Sequence, residues 1–243
     1  MTEIKTGVIR PIEIYKEAWE LIKDQYWLLF AISLLGGMIG AVSLYILVGA
    51  MVCGIYYCYI QKIDGKTVEL DGLWVGFQKI LPSFVLMLLI MIPMLVVYGI
   101  IYVPLIMASV MGSKLSGDEL AAMFIGAAIV DVVLIVLMTC LHTLVIFSFP
   151  LMIDRNLGAW QSITTSARAV WKNLSGIAGM FGIAILVSIP AVILTCGFGA
   201  YFLMPIMFGG YALAYRKIFP APHGQNFNPP PPDAFYGAGR YNQ

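Results

Sequence analysis

The sequence predicts an all-α fold, a polytopic membrane helix bundle of about six transmembrane helices and two interfacial amphipathic helices. Three observations carry that expectation. Of 243 residues, 60% are apolar and 11% charged, with a mean hydropathy of +0.90, whereas a soluble domain carries about 25% charged residues. No water-soluble fold of this size buries so much apolar surface. The apolar residues also gather in long runs between short polar connections, and residues 25–61 contain no charged side chain. Finally, the net charge of +1 comes from scattered basic residues. That excludes the basic patch a nucleic-acid partner requires and leaves the lipid bilayer and other membrane proteins as the expected partners.

Residues 1–25 form an N-terminal segment in which 11–24 read as a helix on the membrane surface. Pro11 suits its first position. Ile12, Tyr15, Trp19, Ile22 and Tyr26 recur at helical spacing and make one apolar face, with Glu13, Glu17, Glu20 and Asp24 opposite. Anionic lipid repels such an acidic stripe, so a protein partner suits it better. These first residues lack the short apolar core of a secretory signal.

The membrane domain is expected over 26–218. As one helix, residues 25–61 would reach about 55 Å, against about 30 Å of hydrocarbon. Two spans with a tight turn near 40–43 fit instead, and Gly36, Gly37 and Gly40 let them approach closely. A charged loop, 62–71, leads to a short aromatic segment, 73–77, which Asp71 can cap and in which Trp74 and Phe77 share a face. The third span, 82–111, carries Pro93 and Pro104 and is expected to bend or to break near Pro104. After a short loop the fourth span, 121–149, ends at Pro150. A second interfacial helix, 157–173, places Trp160, Ile163, Ala167 and Trp171 on one face and Thr165, Arg168 and Lys172 on the other. The fifth and sixth spans, about 176–195 and 200–215, flank a tight turn at 196–199. Trp19, Trp74, Trp160 and Trp171 are the expected interface anchors.

With six spans, all of the fourteen basic residues except Lys114 fall on one side. The positive-inside rule makes that side cytoplasmic, so both termini are expected there. A weak internal echo accompanies this arrangement. Leu47, Met51, Gly54 and Tyr59 recur as Leu203, Met207, Gly210 and Tyr215 at a constant offset of 156. Each set lies in the second member of a span pair that follows an amphipathic aromatic helix, the pattern of a parallel duplication.

Several segments resemble a known group. These are Phe149-Pro150-Leu151-Met152-Ile153-Asp154-Arg155, Ala159-Trp160 with Ser166, and Tyr215-Arg216-Lys217-Ile218-Phe219. Leu47-Val48-Gly49-Ala50-Met51 with Gly54, and Leu73-Trp74-Val75-Gly76-Phe77, join them. Over about residues 10–219 the chain resembles bacterial integral membrane proteins of unknown function, related to the membrane domain of some glycerophosphodiester phosphodiesterases. The resemblance implies a six-helix bundle in a bacterial cytoplasmic (inner) membrane. It implies no activity, and the phosphodiesterase catalytic domain is absent from the sequence.

Few residues invite chemistry. Asp131 is the sole acid inside a span, where an ionised side chain costs at least about 2.5 kcal/mol. His142 lies three turns further along, with Thr139 and Thr143 nearby. Together they read as a polar track for protons or a solute. Alternatively, Asp131 reaches interfacial water and His142 bonds a neighbouring carbonyl. His142 is also the sole histidine in a span, which excludes a bis-histidine haem within one chain but leaves a single axial ligand to haem or chlorophyll open. Otherwise no cofactor or metal site is expected. Cys53, Cys58, Cys140 and Cys196 lie in apolar stretches without metal-ligand spacing and read as small packing residues.

No nucleophile–base set, phosphate loop or zinc spacing occurs, so an enzyme is not expected. The favoured expectation is a non-enzymatic membrane scaffold or accessory subunit of a larger complex. A small transporter or lipid-handling protein using Asp131, and a pigment- or haem-carrying subunit using His142, are the alternatives. The tail, 219–243, is rich in proline. It is expected to bind a partner in an extended form through Phe227, Phe235, Tyr236 and Tyr241.

Overall fold

The apolar runs fold as helices because a bilayer offers their backbone groups no other hydrogen-bonding partners. The computed structural model describes residues 4–111 and 116–221, and helix is the only regular secondary structure among them. The helices are α1 (Pro11–Ile22), α2 (Tyr26–Val42), α3 (Val48–Ile63), α4 (Ile80–Met111), α5 (Gly117–Val145), α6 (Ser148–Asp154), α7 (Ala159–Lys172), α8 (Leu174–Leu194) and α9 (Phe198–Ile218). Two 3-10 segments, Lys23–Gln25 and Leu70–Lys79, complete the order. Five stretches are long and apolar enough to cross a membrane: Pro11–Val42, Leu70–Ile100, Gly117–Asp154, Leu174–Leu194 and Phe198–Ile218. The remaining expected span, α3, has 16 residues, about 24 Å, and is shorter than the hydrocarbon core of about 30 Å. The chain is a polytopic membrane helix bundle.

Helix α3 is its pivot. It is buried from residue 49 to residue 60 except at Val52 and Tyr57. Glycines make this possible. A Cβ on Gly54 would lie 2.0 Å from the Leu73 carbonyl oxygen, and one on Gly76 would lie 2.0 Å from that of Ala50. The 3-10 segment therefore rests backbone to backbone on α3. Gly36 and Gly40 on α2 likewise admit Ile55 and Val48. The turn between α2 and α3 falls at residues 43–47, slightly later than expected, with Leu44 and Tyr45 in left-handed conformation.

Both amphipathic helices keep their tryptophans exposed, as expected of interface anchors, and bury smaller side chains instead. In α1 the buried residues are Ile14, Ala18 and Ile22, while Ile12 and Trp19 are exposed. Tyr26 starts α2 rather than extending α1. In α7 they are Ser162, Ser166, Ala169 and Val170, while Trp160 and Trp171 are exposed. Close packing decides this: Gly209 and Gly210 of α9 receive Ala18, Ile22 and Tyr15. On α7, Ser166 donates to the Leu144 carbonyl at 2.7 Å and accepts from the Phe147 amide at 3.1 Å. Large aromatic side chains at these positions would hold the helices apart.

Of the two courses expected for the third span, a bend or a break near Pro104, the break does not occur, because α4 continues through Pro93 and Pro104. Two further expectations are corrected. Pro150 starts a helix rather than ending one, because it occupies the first turn of α6, where its missing N–H is tolerated. The 3-10 segment is preceded by Glu69 and has no side-chain cap, so Asp71 does not cap it. The aromatic pairing expected there holds, with Trp74 and Phe77 stacked at 5.7 Å.

Helices α4 and α5 bury few side chains along their length. Ser83 and Leu86 are the buried side chains of α4 among those described, and Leu134, Met138 and Thr143 those of α5. A capping box opens α5, with the Ser116 amide donating to Glu119 at 2.8 Å and the Glu119 amide to the Ser116 hydroxyl at 3.4 Å.

Candidate functional site

Every ion pair among the described residues gathers at one end of the bundle, where the connections that carry the basic residues meet. Lys62 binds Asp24 at 2.6 Å and Lys217 binds Glu17 at 2.7 Å. Asn173, 4% exposed, ties the N-terminal segment down. Its carbonyl accepts from the Gly7 amide at 2.9 Å, and its amide donates to the Lys5 and Ala169 carbonyls at 3.0 Å.

Four of the buried charges form one network. Arg216, near the end of α9, donates through Nη2 to Asp64 at 2.6 Å and to Asp154 Oδ1 at 3.1 Å, and through Nη1 to Asp154 Oδ2 at 3.1 Å. Tyr215 donates its hydroxyl proton to Asp154 at 2.6 Å, and Arg155 Nε donates to the same carboxylate at 3.1 Å. Arg155 also donates to the Pro220 carbonyl. The Arg216, Asp154 and Asp64 side chains are 10%, 12% and 17% exposed. Three helix ends, those of α3, α6 and α9, are thus fastened by one guanidinium between two carboxylates. Arg216 Nε is buried without a partner among the described residues.

Sequence reasoning assigned no role to these residues. A signal existed in part: Asp154 and Tyr215-Arg216 stand in two segments singled out in the sequence, and the fold brings those two together. Phe147 packs between them, with ring centroids 6.3 Å from both Tyr215 and Phe219. Phe219 is fully buried and belongs to the packed core.

The intramembrane polar candidates do not converge. Asp131 is half-buried on the face of α5 shared with Leu134 and Met138, and it has no hydrogen-bond partner among the described residues. His142 is exposed, with Nδ1 2.9 Å from the Met138 carbonyl. A proton on Nδ1 leaves Nε2 as the one ring atom that can take a ligand. Thr139 and Thr143 donate to the Ile135 and Thr139 carbonyls, both at 2.7 Å. Each of these three side chains thus bonds its own helix four residues back. Trp19, Trp74, Trp160 and Trp171 are all exposed, from 42% to 73%. Cys53 and Cys58 are buried as packing residues, whereas Cys140 and Cys196 face outward. Phe227, Phe235, Tyr236 and Tyr241 lie outside the described residues. No group of three His, Cys, Asp or Glu able to hold a metal occurs among the described residues.

Fold and charge distribution define the class: a multi-pass helical membrane protein whose ion pairs, among the described residues, lie at one end. No family model matches the chain, and neither a curated protein nor a solved structure matches it.

Proposed function

We propose that the protein is a non-enzymatic membrane scaffold or accessory subunit that packs against other membrane proteins through α4 and α5. The observation that carries this reading is the near absence of internal burial along these two helices. They have 32 and 29 residues, about 48 Å and 44 Å, which exceeds the hydrocarbon thickness. Asp131 adds chemistry to that surface. A carboxyl group inside a membrane requires a partner, and the one that fits is a transmembrane helix carrying a hydrogen-bond donor or a basic side chain.

We further propose a bacterial cytoplasmic membrane and cytoplasmic termini. The clustering of basic residues at the charged end supports the orientation. Resemblance to the bacterial group, two of whose segments meet at Arg216, supports the source. Extraction in mild detergent followed by affinity purification tests the scaffold reading. Co-purifying integral membrane proteins that are lost when α4 and α5 are altered are the expected result. A protein that always emerges alone as a monomer refutes it.

A further inference from the structure

Charge at this end of the bundle is unevenly matched. On α1 and just after it, Glu13, Glu17, Glu20 and Asp24 pair with Arg10, Lys217, Lys23 and Lys62. Beside the Arg216 network, an open cleft of about 880 Å³ is lined by Asp64, Glu69 and Asp71 together with Lys66, so carboxylates outnumber bases there.

Helix α7 is the opposite case. Trp160, Arg168, Trp171 and Lys172 are exposed, and they share an arc of about 120° around the helix. Neither Arg168 nor Lys172 has a hydrogen-bond or ion-pair partner among the described residues. No acid stands between Asp154 and the end of α9. The helices packed against α7 are α4, α5, α6 and α8, of which α4 and α8 carry no carboxylate. The Asp154 carboxylate of α6 is taken by Tyr215, Arg155 and Arg216. On α5, Leu144 meets α7 through Ser166, about 20 Å along the helix from Asp131.

A third cation is fixed beside this face. The Lys5 amide donates to the Ile218 carbonyl at 3.0 Å, and its carbonyl accepts from Asn173, the residue after Lys172, also at 3.0 Å. Lys5 is exposed and its ammonium group has no partner among the described residues. Exposed tryptophans mark the level of lipid headgroups.

We propose that the outer face of α7, together with Lys5, binds anionic phospholipid in the leaflet at the charged end. Arg168 donates to a headgroup phosphate through its planar fork, Lys172 and Lys5 balance the remaining negative charge, and Trp160 and Trp171 lie against the glycerol and first acyl carbons. A zwitterionic headgroup brings its own cation toward three others. A soluble anion leaves two indoles in water.

Lipids with brominated acyl chains quench the tryptophans they touch, so the selection can be read at α7 itself. The full chain carrying W19F/W27F/W74F keeps Trp160 and Trp171 as its emitters. It is reconstituted in vesicles of equal phosphatidylglycerol and phosphatidylcholine, with bromine on one lipid at a time. Phosphatidylglycerol is expected to be preferred roughly tenfold, the scale of two exposed charge contacts, and less so in high salt. R168Q/K172Q should bring the preference to within about twofold, and adding K5Q should bring it to parity, while buried Cys53 and Cys58 stay unreactive as a check on folding. K16Q, which removes a cation from among the α1 carboxylates, should leave the preference unchanged. Native mass spectrometry of the chain with all five tryptophans gives a second reading through retention of the two lipids. Equal quenching by the two lipids in the R168-containing chain overturns the proposal, as does a preference that survives K5Q/R168Q/K172Q. A loss in K16Q as large as that in R168Q/K172Q also overturns it, since net charge rather than α7 would then set the selection.

Discussion

Replacing Arg216 by methionine tests the network that joins α3, α6 and α9. The substitution keeps an aliphatic stem and removes the charge. Asp64 and Asp154 would then face one another's surroundings without their shared cation, at 17% and 12% exposure. Breaking a buried pair by removing one partner costs about 3–5 kcal/mol, because the stranded charge keeps its desolvation penalty. Two stranded carboxylates place R216M toward the upper part of that range, with Arg155 beside Asp154 offsetting a fraction. For a chain of this length each 1 kcal/mol moves the midpoint by about 2–4 °C, so the expected loss is roughly 6–20 °C.

A thiol-reactive fluorophore suits the measurement, since Cys53 and Cys58 are buried and become reactive on unfolding. Replacing exposed Cys140 and Cys196 by serine removes the background. Detergent unfolding of membrane proteins is often irreversible, so variants are compared at one scan rate. The decisive comparison is the triple variant D64N/D154N/R216M, which removes the anions together with the cation. It should recover at least half of the loss, because an uncharged set has no charge to desolvate. A triple variant less stable than R216M would show that the pairs contribute net attraction, and would refute the reasoning.

Gly54→Ala should lower the midpoint by at least about 3 °C, because its Cβ would meet the Leu73 backbone at 2.0 Å and overpacking costs about 1–3 kcal/mol. Gly126→Ala, with nothing within 4 Å, should be neutral or slightly stabilising in the same assay. Membrane-impermeant thiol labelling should reach Lys66→Cys and Gln161→Cys from the cytoplasm and native Cys196 from outside. Labelling of Cys196 and Lys66→Cys from the same side would discard the six-span topology. Asp131→Asn should leave the midpoint within about 2 °C, as no partner among the described residues is lost, yet it should weaken co-purification of partner proteins. A variant that fails to insert would place Asp131 in an ionised pair instead.

The spans were legible because a charge cannot be carried cheaply into hydrocarbon, so polar connections mark where helices end. The inward faces of α1 and α7 were not. In water the large apolar side chains seek the core, and periodicity reveals the buried stripe. In lipid they gain nothing by turning inward, and close packing of small residues takes over. Ile14 and Ala18 therefore pack inward beside Ile22 while Trp19 stays exposed as an anchor, and Ser162, Ser166 and Ala169 pack inward while Trp160 stays exposed. The network at Arg216 was hidden for another reason. Asp64, Asp154 and Arg216 are far apart in sequence, and no local spacing foretells that three helix ends share one guanidinium. The cleft beside it depends equally on the path of residues 62–80 after α3.

Positions related by the offset of 156 share some contacts and differ in others. Gly54 and Gly210, related by the offset of 156, play the same part. Each admits an element from the charged end onto its helix, the 3-10 segment in one case and Tyr15 of α1 in the other. Tyr59 and Tyr215, related by the same offset, are both fully buried. Their hydroxyls part company. That of Tyr59 pairs with Ser33 at 2.9 Å inside its own half, whereas that of Tyr215 donates to Asp154 at 2.6 Å. The next position is Ile60 in the first half and Arg216 in the second. Packing needs only the shared features, since an isoleucine serves the first half well. The charge at Arg216 requires two carboxylates from elsewhere in the chain, and one of them, Asp64, also lines the cleft. Residues that stability alone would render apolar are charged at the junction where α3, α6 and α9 meet, and that junction borders a cleft of about 880 Å³ lined by Tyr57, Gln61 and Asp64.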